Sequence, residues 1–579
     1  MPCLSVSEKP STRLSPGRVA RHALKLMAVA ALASCGGSNA PDAGAQVEED
    51  RPSPFGSAPI DYGAGPGVAY DETQQDGRES ALGQLQAQAI SVPTGPGDAY
   101  LKGVFGAPFT WPIIPLHTIL LADGRVLSYG TKPSGIQGGL LHYAVWDPSL
   151  GMGSKSKLLL SNTTGTDIFC AGQVLLPDTG NVLIVGGDRV VNGQRNYANN
   201  DVNVFTPVDN ALTKQGQSMA YQRWYATLIT TASGEQAVLG GRIDKFYEGD
   251  SQYPPTEDTY ASTPEVYSPT SGWRTLTNAT SDYAYGSKIQ SWNYPRAWWS
   301  PDGRVVIFTV TGKIFSLDVA GTGALTQLPG TLPLGAFMLP AAMYQPGKIL
   351  SVRDAGKAVV VDINGAAPVV TDAAPLSADR QYGNATILAD GKVWVNGGSS
   401  TGNDLVGAVY DSELWDPATG GWTMTATAVK PRLYHSISML MPDGTVLTGG
   451  GGAPGPVANL NAEIYFPPYL YKKDGSGLPA TRPGIATAPT AGSWGQSIAV
   501  TMNNKNPVAR MSLVRFGAVT HAFSNEQRFQ DLSFTQKGTS LTVTLPDSAH
   551  NAPPGFYMLF ALNADGVPSK AKVIRLGAS

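Results

Sequence analysis

The sequence predicts an all-β protein: a seven-bladed β-propeller over residues 101–470, followed by an Ig-like β-sandwich over residues 471–579. Three observations carry this. Gly (67) and Pro (44) are abundant among the 579 residues, while charged side chains are only 15%, well under the usual quarter. That balance suits short strands joined by tight turns, and disfavours a coiled coil, a long helical bundle or a disordered chain. A hairpin-like unit recurs seven times, and the last hundred or so residues abandon it for a different pattern of short strands. The net charge of -3 and pI near 6.1 lack the basic excess of a generic nucleic-acid binder, so no nucleic-acid partner is expected.

The N-terminus reads as an address. Arg13, Arg18, Arg21 and Lys25 precede an apolar run from Leu26 to Ala33, far shorter than the ~20 residues that span a bilayer but suited to a signal-peptide core. Leu32-Ala33-Ser34-Cys35 resembles the bacterial lipoprotein box. Residues 1–34 are therefore expected to be a lipoprotein-type signal peptide, with Cys35 lipidated and the protein exported to the bacterial cell envelope. The alternative is an ordinary secretory signal. Membrane contact would be through the N-terminal lipid anchor alone. Residues 35–100 are expected to be a flexible linker: Glu48-Glu49-Asp50 and scattered prolines (Pro52, Pro54, Pro59, Pro66, Pro93 and Pro96) interrupt any large apolar run. Such a segment buries too little apolar surface to offset its ordering entropy.

From His117 onward an apolar strand, a turn and a second apolar strand repeat, the second often ending in Gly-Gly. The turn glycines are Gly124, Gly180, Gly234, Gly303, Gly347, Gly391 and Gly444, at spacings of 56, 54, 69, 44, 44 and 53. A β-hairpin unit at a period near ~50 is the mark of a kelch-type repeat. Outer-strand markers fall between the turns, such as Val145-Trp146-Asp147-Pro148 and Leu414-Trp415-Asp416-Pro417. One blade alone leaves a sheet face bare, so seven copies stack around an axis. The tail then shows short strands at 497–502, 510–516, 540–545 and 555–562, which suggest a sandwich.

One phase of the repeat gathers reactive side chains. Aligned on the turn residues Asp123, Asp178, Ser233, Asp302, Gln345, Asp390 and Asp443, the positions eight back are Pro115, Cys170, Tyr225, Tyr294, Phe337, Tyr382 and His435. Equal phase in a propeller means equal height and equal distance from the axis, so this set rings one mouth of the channel. A thiol, phenols and an imidazole converging there form a metal-ligand inventory. Tyr294, Phe337 and Tyr382 are candidates to line a substrate pocket, or else simply fill the channel. Tyr434 precedes His435. Adjacent strand residues point to opposite faces, so both reach one ion only where the strand is just beginning and the backbone bends. Imidazole with phenolate suits Cu(II) in a square N,O field. His521 lies between two tail strands, where a hairpin loop could deliver it into the channel. His117, His142 and His550 read as structural or surface residues. Of three cysteines, Cys3 lies in the leader and Cys35 at the expected lipidation site, leaving Cys170 alone. By itself such a thiol is a buried small hydrophobe.

Five ordered motifs change that reading. Asp-Ile-Phe-Cys-Ala-Gly (167–172), Arg-Trp-Tyr-Ala-Thr (223–227), Arg-Leu-Tyr-His-Ser-Ile-Ser (432–438), the run Gly449–Gly452 with Glu-Ile-Tyr-Phe-Pro-Pro-Tyr-Leu-Tyr (463–471), and Val-Thr-His with Asn-Glu-Gln-Arg (519–528) resemble the copper radical oxidases, the family of galactose oxidase and glyoxal oxidase. The resemblance covers residues 101–579. It implies one copper ion held by Tyr225, Tyr434, His435 and His521, and a self-derived thioether joining Cys170 to the ring of Tyr225, which would carry a radical. Cys170, Tyr225 and Tyr434 would be the catalytic groups, Tyr434 taking the proton. Two features are expected to depart from galactose oxidase. Ile243 stands where that enzyme has a Trp two residues after the Gly-Gly, and its N-terminal carbohydrate-binding domain has no counterpart here. A long insert, 243–263, is expected to roof the pocket beside Tyr225.

The function expected from the resemblance is oxidation of small aldehydes (glyoxal- or methylglyoxal-like) or primary alcohols, with O2 reduced to hydrogen peroxide, by a monomeric enzyme. A surface carbohydrate is a further possible substrate. The alternative is a non-catalytic cell-surface propeller that binds glycans or proteins.

Overall fold

Each Asp-Gly turn folds its flanking apolar runs into an antiparallel hairpin, and the chemistry of the turn is visible residue by residue. In the first, Gly124 takes φ +86°, a conformation glycine adopts without penalty. The Asp123 carboxylate accepts the Arg125 amide at 3.0 Å. Asp302, Asp390 and Asp443 accept the amide two residues on in the same way.

The computed structural model describes residues 90–191, 194–243, 260–285, 294–335 and 338–577. The expected signal peptide, Cys35, most of the expected linker, most of the 243–263 insert and Phe337 lie outside the described residues. Within them, seven antiparallel blades succeed one another, six of four strands and the last edged by two short ones, with blades 1 and 5 joined into one larger sheet by strands of the tail. Their innermost strands are His117–Leu120, Gly172–Leu175, Thr227–Thr230, Arg296–Trp299, Ala341–Gln345, Asn384–Ile387 and Ser436–Leu440, which open blades 1 to 7 in turn. Six blades take all four strands from consecutive sequence. Blade 7 borrows its outer edge from the beginning of the fold: Val104–Phe105 pairs with Asn461–Phe466 (Val104 opposite Phe466), and Phe109–Thr110 pairs with the same strand. The last residues of the expected linker already belong to the fold. Ala99–Lys102 forms a short helix, Ala99 is buried and the Gly95 amide donates to Gly477 O at 2.8 Å.

The core lies between blades. Ile229, Leu239 and Val266 of blade 3 pack on Trp299, Val305 and Ile307 of blade 4. Trp298 and Phe308, on the other face of blade 4, pack on Met343, Ile349 and Val359 of blade 5. Both faces of the inner strands are thus buried, which explains why they read as continuous apolar runs rather than alternating ones.

The tail forms two sheets around Ile498, Val500, Leu513, Leu541, Tyr557 and Ile574. Ser497–Met502 alternates exposed and buried residues along its length, as a strand with one wet face should. From this sandwich a hairpin enters the propeller. Ala518–Thr520 pairs antiparallel with the inner strand of blade 1 (His117 opposite Thr520), and Phe523–Leu532 pairs parallel with that of blade 5 (Ala341 opposite Phe523). The side chains of Phe523–Leu532 then engage other blades. Asn525 donates to Leu228 O and Glu526 accepts from Thr230 N and Oγ1, both in blade 3. Gln527 bonds both the N–H and C=O of Ile387 in blade 6, and Arg528 donates to Trp299 O in blade 4. Buried polar groups need partners, and this polar run finds them around the ring.

Candidate metal centre

The residues eight positions before each turn stand where the chain bends into an inner strand, and the bend has one conformation. Cys170, Tyr225, Tyr294, Tyr382 and His435 have φ of 55°, 70°, 46°, 65° and 67°. Left-handed backbone is uncommon outside glycine, so five instances at one phase are a property of the architecture. Backbone hydrogen bonds stitch neighbours together at this level: Tyr225 N to Cys170 O at 2.9 Å, then Tyr294 N to Tyr225 O at 2.7 Å. The same bend resolves the problem of Tyr434 and His435. The strand begins only at Ser436, and the two rings stack with centroids 3.7 Å apart. Gly451 N and Gly452 N donate to the carbonyls of His435 and Tyr434, so the glycine run folds over this pair.

Five side chains converge. The phenol oxygens of Tyr225 and Tyr434 are 2.6 Å apart. Cys170 Sγ lies 3.6 Å from His521 Nε2 and 4.0 Å from His435 Nε2, and these three ligand atoms all fall within 4.8 Å of one another. Cys170, Tyr225, His435 and His521 are almost fully buried, and Tyr434 is slightly more open at 6%. Local chemistry sets which imidazole nitrogens face inward. His435 Nδ1 is 2.6 Å from Gly452 O; a carbonyl only accepts, so Nδ1 carries the hydrogen. Thr520 Oγ1 donates to Leu116 O and so accepts from His521 Nδ1 at 2.5 Å. Both Nε2 lone pairs are therefore left for a metal, each ring held from behind by its other nitrogen. Burial pushes His435 down to about 3. It also pushes His521 well below its ordinary value, helped by His435, His117 and Arg296. Both rings are neutral at pH 7, as ligation requires. Two imidazoles, two phenols and a sulfur, dry and convergent, fit a copper ion.

The remaining predicted residues surround this set. Tyr294 packs at 5.2 Å from the Tyr225 ring and 4.6 Å from the His521 ring, with its hydroxyl donated to Ala171 O. Tyr382 is half-buried and meets Tyr434 edge-on at 5.1 Å. Phe337 lies outside the described residues. His117 is fully buried and stacked on Tyr129 at 4.5 Å, while His550 is exposed and stacks on Trp299.

Three features escaped sequence reading. Trp224 meets the Tyr225 ring edge-on at 4.4 Å; its adjacency in Arg-Trp-Tyr was the available signal. Arg223, Arg380 and Arg432 form buried ion pairs with Glu265, Glu413 and Glu463 at 2.9, 2.7 and 2.7 Å. Each Arg also donates to the Gly-Gly strand end of its own blade, at Gly240 O, Gly397 O and Gly450 O. These pairs brace the bends that carry Tyr225, Tyr382 and Tyr434-His435. Finally, Asp167 accepts the amides of Gly139 and Phe169, which fixes the loop leading to Cys170.

Comparison with known proteins bears on this arrangement. The family model described as galactose oxidase-like, Early set domain matches residues 482–576, the sandwich that supplies His521. Galactose oxidase of Gibberella zeae is 28% identical over 85% of this chain and 72% of its own length. The aldehyde oxidase GLOX of Vitis pseudoreticulata is 26% identical over 71% of this chain and 82% of its own. A solved structure of a fungal alcohol oxidase of the AA5 family in complex with copper superposes with a TM-score of 0.71 at 26% identity, over 82% of this chain and all of that one. Together these similarities support a copper radical oxidase family for this chain. The expected departure from galactose oxidase at Ile243 is visible in the fold. Ile243 O accepts the Ala198 amide, and among the described residues the indole against the Tyr225 ring is that of Trp224.

Proposed function

We propose that this protein is a copper oxidase that removes two electrons and two protons from a primary alcohol or a hydrated aldehyde and transfers them to O2, giving hydrogen peroxide. The observation that carries the proposal is the meeting of Cys170, Tyr225, Tyr434, His435 and His521, with both imidazoles presenting Nε2. Galactose oxidase, aldehyde oxidases and an alcohol oxidase are its relatives, and together they bracket the substrate class. Bound copper supplies one electron's worth of oxidising capacity, and an oxidised Tyr225 supplies the second.

The chain's own residues divide the remaining work. His435 and His521 orient through their tethered Nδ1 atoms. Tyr225, fully buried beside Trp224 and Tyr294, is shielded from water. Tyr434 is the more open of the two phenols, so its oxygen takes the proton of the substrate hydroxyl. Cys170 lies one backbone hydrogen bond from Tyr225. In our reading its sulfur bonds to the Tyr225 ring, with thiol and ring hydrogens leaving as two protons and two electrons that reduce O2. A thioether makes the phenol easier to oxidise.

Mass spectrometry of proteolytic fragments after incubation with Cu(II) and air tests this. The Cys170 and Tyr225 peptides should appear joined and two hydrogens lighter than their sum. Cys170→Ser should abolish the linkage and lower peroxide production by several orders of magnitude. Unlinked peptides in copper-loaded protein, or no peroxide from any small alcohol, aldehyde or sugar, would favour a binding propeller instead.

A further inference from the structure

His521 reaches the metal centre from a separate domain, on the tip of a hairpin, and that tip is strained. His521 and Ala522 both occupy left-handed backbone, with φ of 49° and 64°, a combination L-residues avoid. Something outside the hairpin must hold it. Thr520 fixes the rotation of the ring, and its bond to Leu116 O and pairing with His117 tie one side of the tip to blade 1. The side chain that grips the carbonyl of His521 itself is that of Arg296, the first residue of the inner strand of blade 4. One terminal nitrogen of its guanidinium donates to His521 O at 3.1 Å and to Leu339 O at 3.2 Å, and the other to Tyr294 O at 3.3 Å. Leu339 leads into blade 5 and Tyr294 into blade 4, so one planar fork spans two blades and the hairpin tip. The cation also lies 4.5 Å above the ring of Phe523, the next residue of the hairpin.

Arg296 is an unusual group to bury for packing alone. Among the described residues no carboxylate pairs with it, unlike Arg223, Arg380 and Arg432, and its Nε has no partner. Burial, with Arg353 nearby, pulls it down to about 9. An unpaired buried charge is retained against a penalty, and here its hydrogen bonds go to carbonyls, one of them His521's own. We propose that Arg296 is a positioning residue for the metal centre: it pins the His521–Ala522 turn and so sets the place of the His521 imidazole. This rests on the copper reading of the site.

The test is a thermodynamic cycle on the full chain. Copper dissociation constants, by competition with a chelator, are measured for the wild type, Arg296→Lys, His521→Ala and the double variant. Electron paramagnetic resonance spectra of the copper-loaded forms and the thermal midpoint of each metal-free form accompany them. Lys keeps the charge and loses the fork. Arg296→Lys should weaken copper binding by roughly 10- to 100-fold and shift the spectrum, yet add no further loss in the His521→Ala background. A merely structural role would lower the metal-free midpoint while leaving the affinity and spectrum of the folded fraction unchanged. Unchanged affinity, or an equal loss in both backgrounds, overturns the inference. Should Lys not fold, Arg296→Gln, a neutral group that still donates to carbonyls, takes its place under the same criteria. A wild type that binds no copper would instead overturn the reading of the site itself.

Discussion

Asp188 shows how strongly a single residue's surroundings act near the centre. It is buried beside Asp167, with the half-exposed Arg195 3.4 Å from Asp167 and 3.8 Å from Asp188. Burial first, and the Asp167 charge second, raise it from 3.8 to about 7. A folded-state pKa above the unfolded one means the folded protein holds the extra proton. The stability this group contributes is complete below pH ~4, declines as pH rises, and is gone above pH ~7. Asp188→Asn keeps the oxygen that accepts the Arg189 and Asn196 amides and removes the ionisation. The variant should gain stability over wild type between pH 5 and 8 by a few kcal/mol, seen as a flatter dependence of the thermal midpoint on pH. At this scale the sequence was readable where chemistry is rare. A lone thiol, a Tyr-His pair and phenols at one phase stand out in a chain with few histidines, and the structure brings them together. Arg296 and the Arg–Glu pairs were not readable. Arg223 and Glu265 are 42 positions apart, and an arginine before a strand looks like a solvated residue until the fold buries it.

Among elements, the Gly-Gly strand ends explain themselves once the next blade is in view. Gly186 has φ +67°, and a Cβ there would sit 2.1 Å from Arg223 O in the bend that carries Tyr225. Gly187 N donates to that same carbonyl at 2.9 Å. Gly186→Ala meets both a conformational penalty and a backbone clash, so it should destabilise by well over ~2 kcal/mol. Chemical denaturation checks this, with Gly216→Ala, at an open surface position, as the neutral control. The strands were legible from their turns, since Asp-Gly and its relatives act through local backbone geometry. The course of the hairpin was legible only in outline. A loop between two tail strands pointed toward the channel, but its parallel pairing with blade 5 depends on contacts 182 positions apart, Ala341 with Phe523. Such pairings leave no local pattern.

At the scale of the whole molecule, two domains make one centre. The propeller holds Cys170, Tyr225, Tyr434 and His435, and the sandwich lends His521. Removing residues 471–579 takes away one imidazole and leaves the inner strands of blades 1 and 5 without the hairpin that pairs with both. The truncated chain should bind copper no better than His521→Ala and should be less stable, both measurable by chelator competition and calorimetry. The seven-part architecture was plain from the repeat, but its closure was not. The edge of blade 7 comes from Val104–Phe105 and Phe109–Thr110, which carry no turn signal and border a segment whose composition reads as tether.

The position of His521 late in the chain also imposes an order on synthesis. Cys170 and Tyr225 leave the ribosome some three hundred residues before it, and through that interval the five side chains that converge in the fold are not all present. The two partners of the proposed thioether are made early and the second imidazole last. On the proposed chemistry, a nascent chain is thereby kept from oxidising its own side chains until the sandwich has been made.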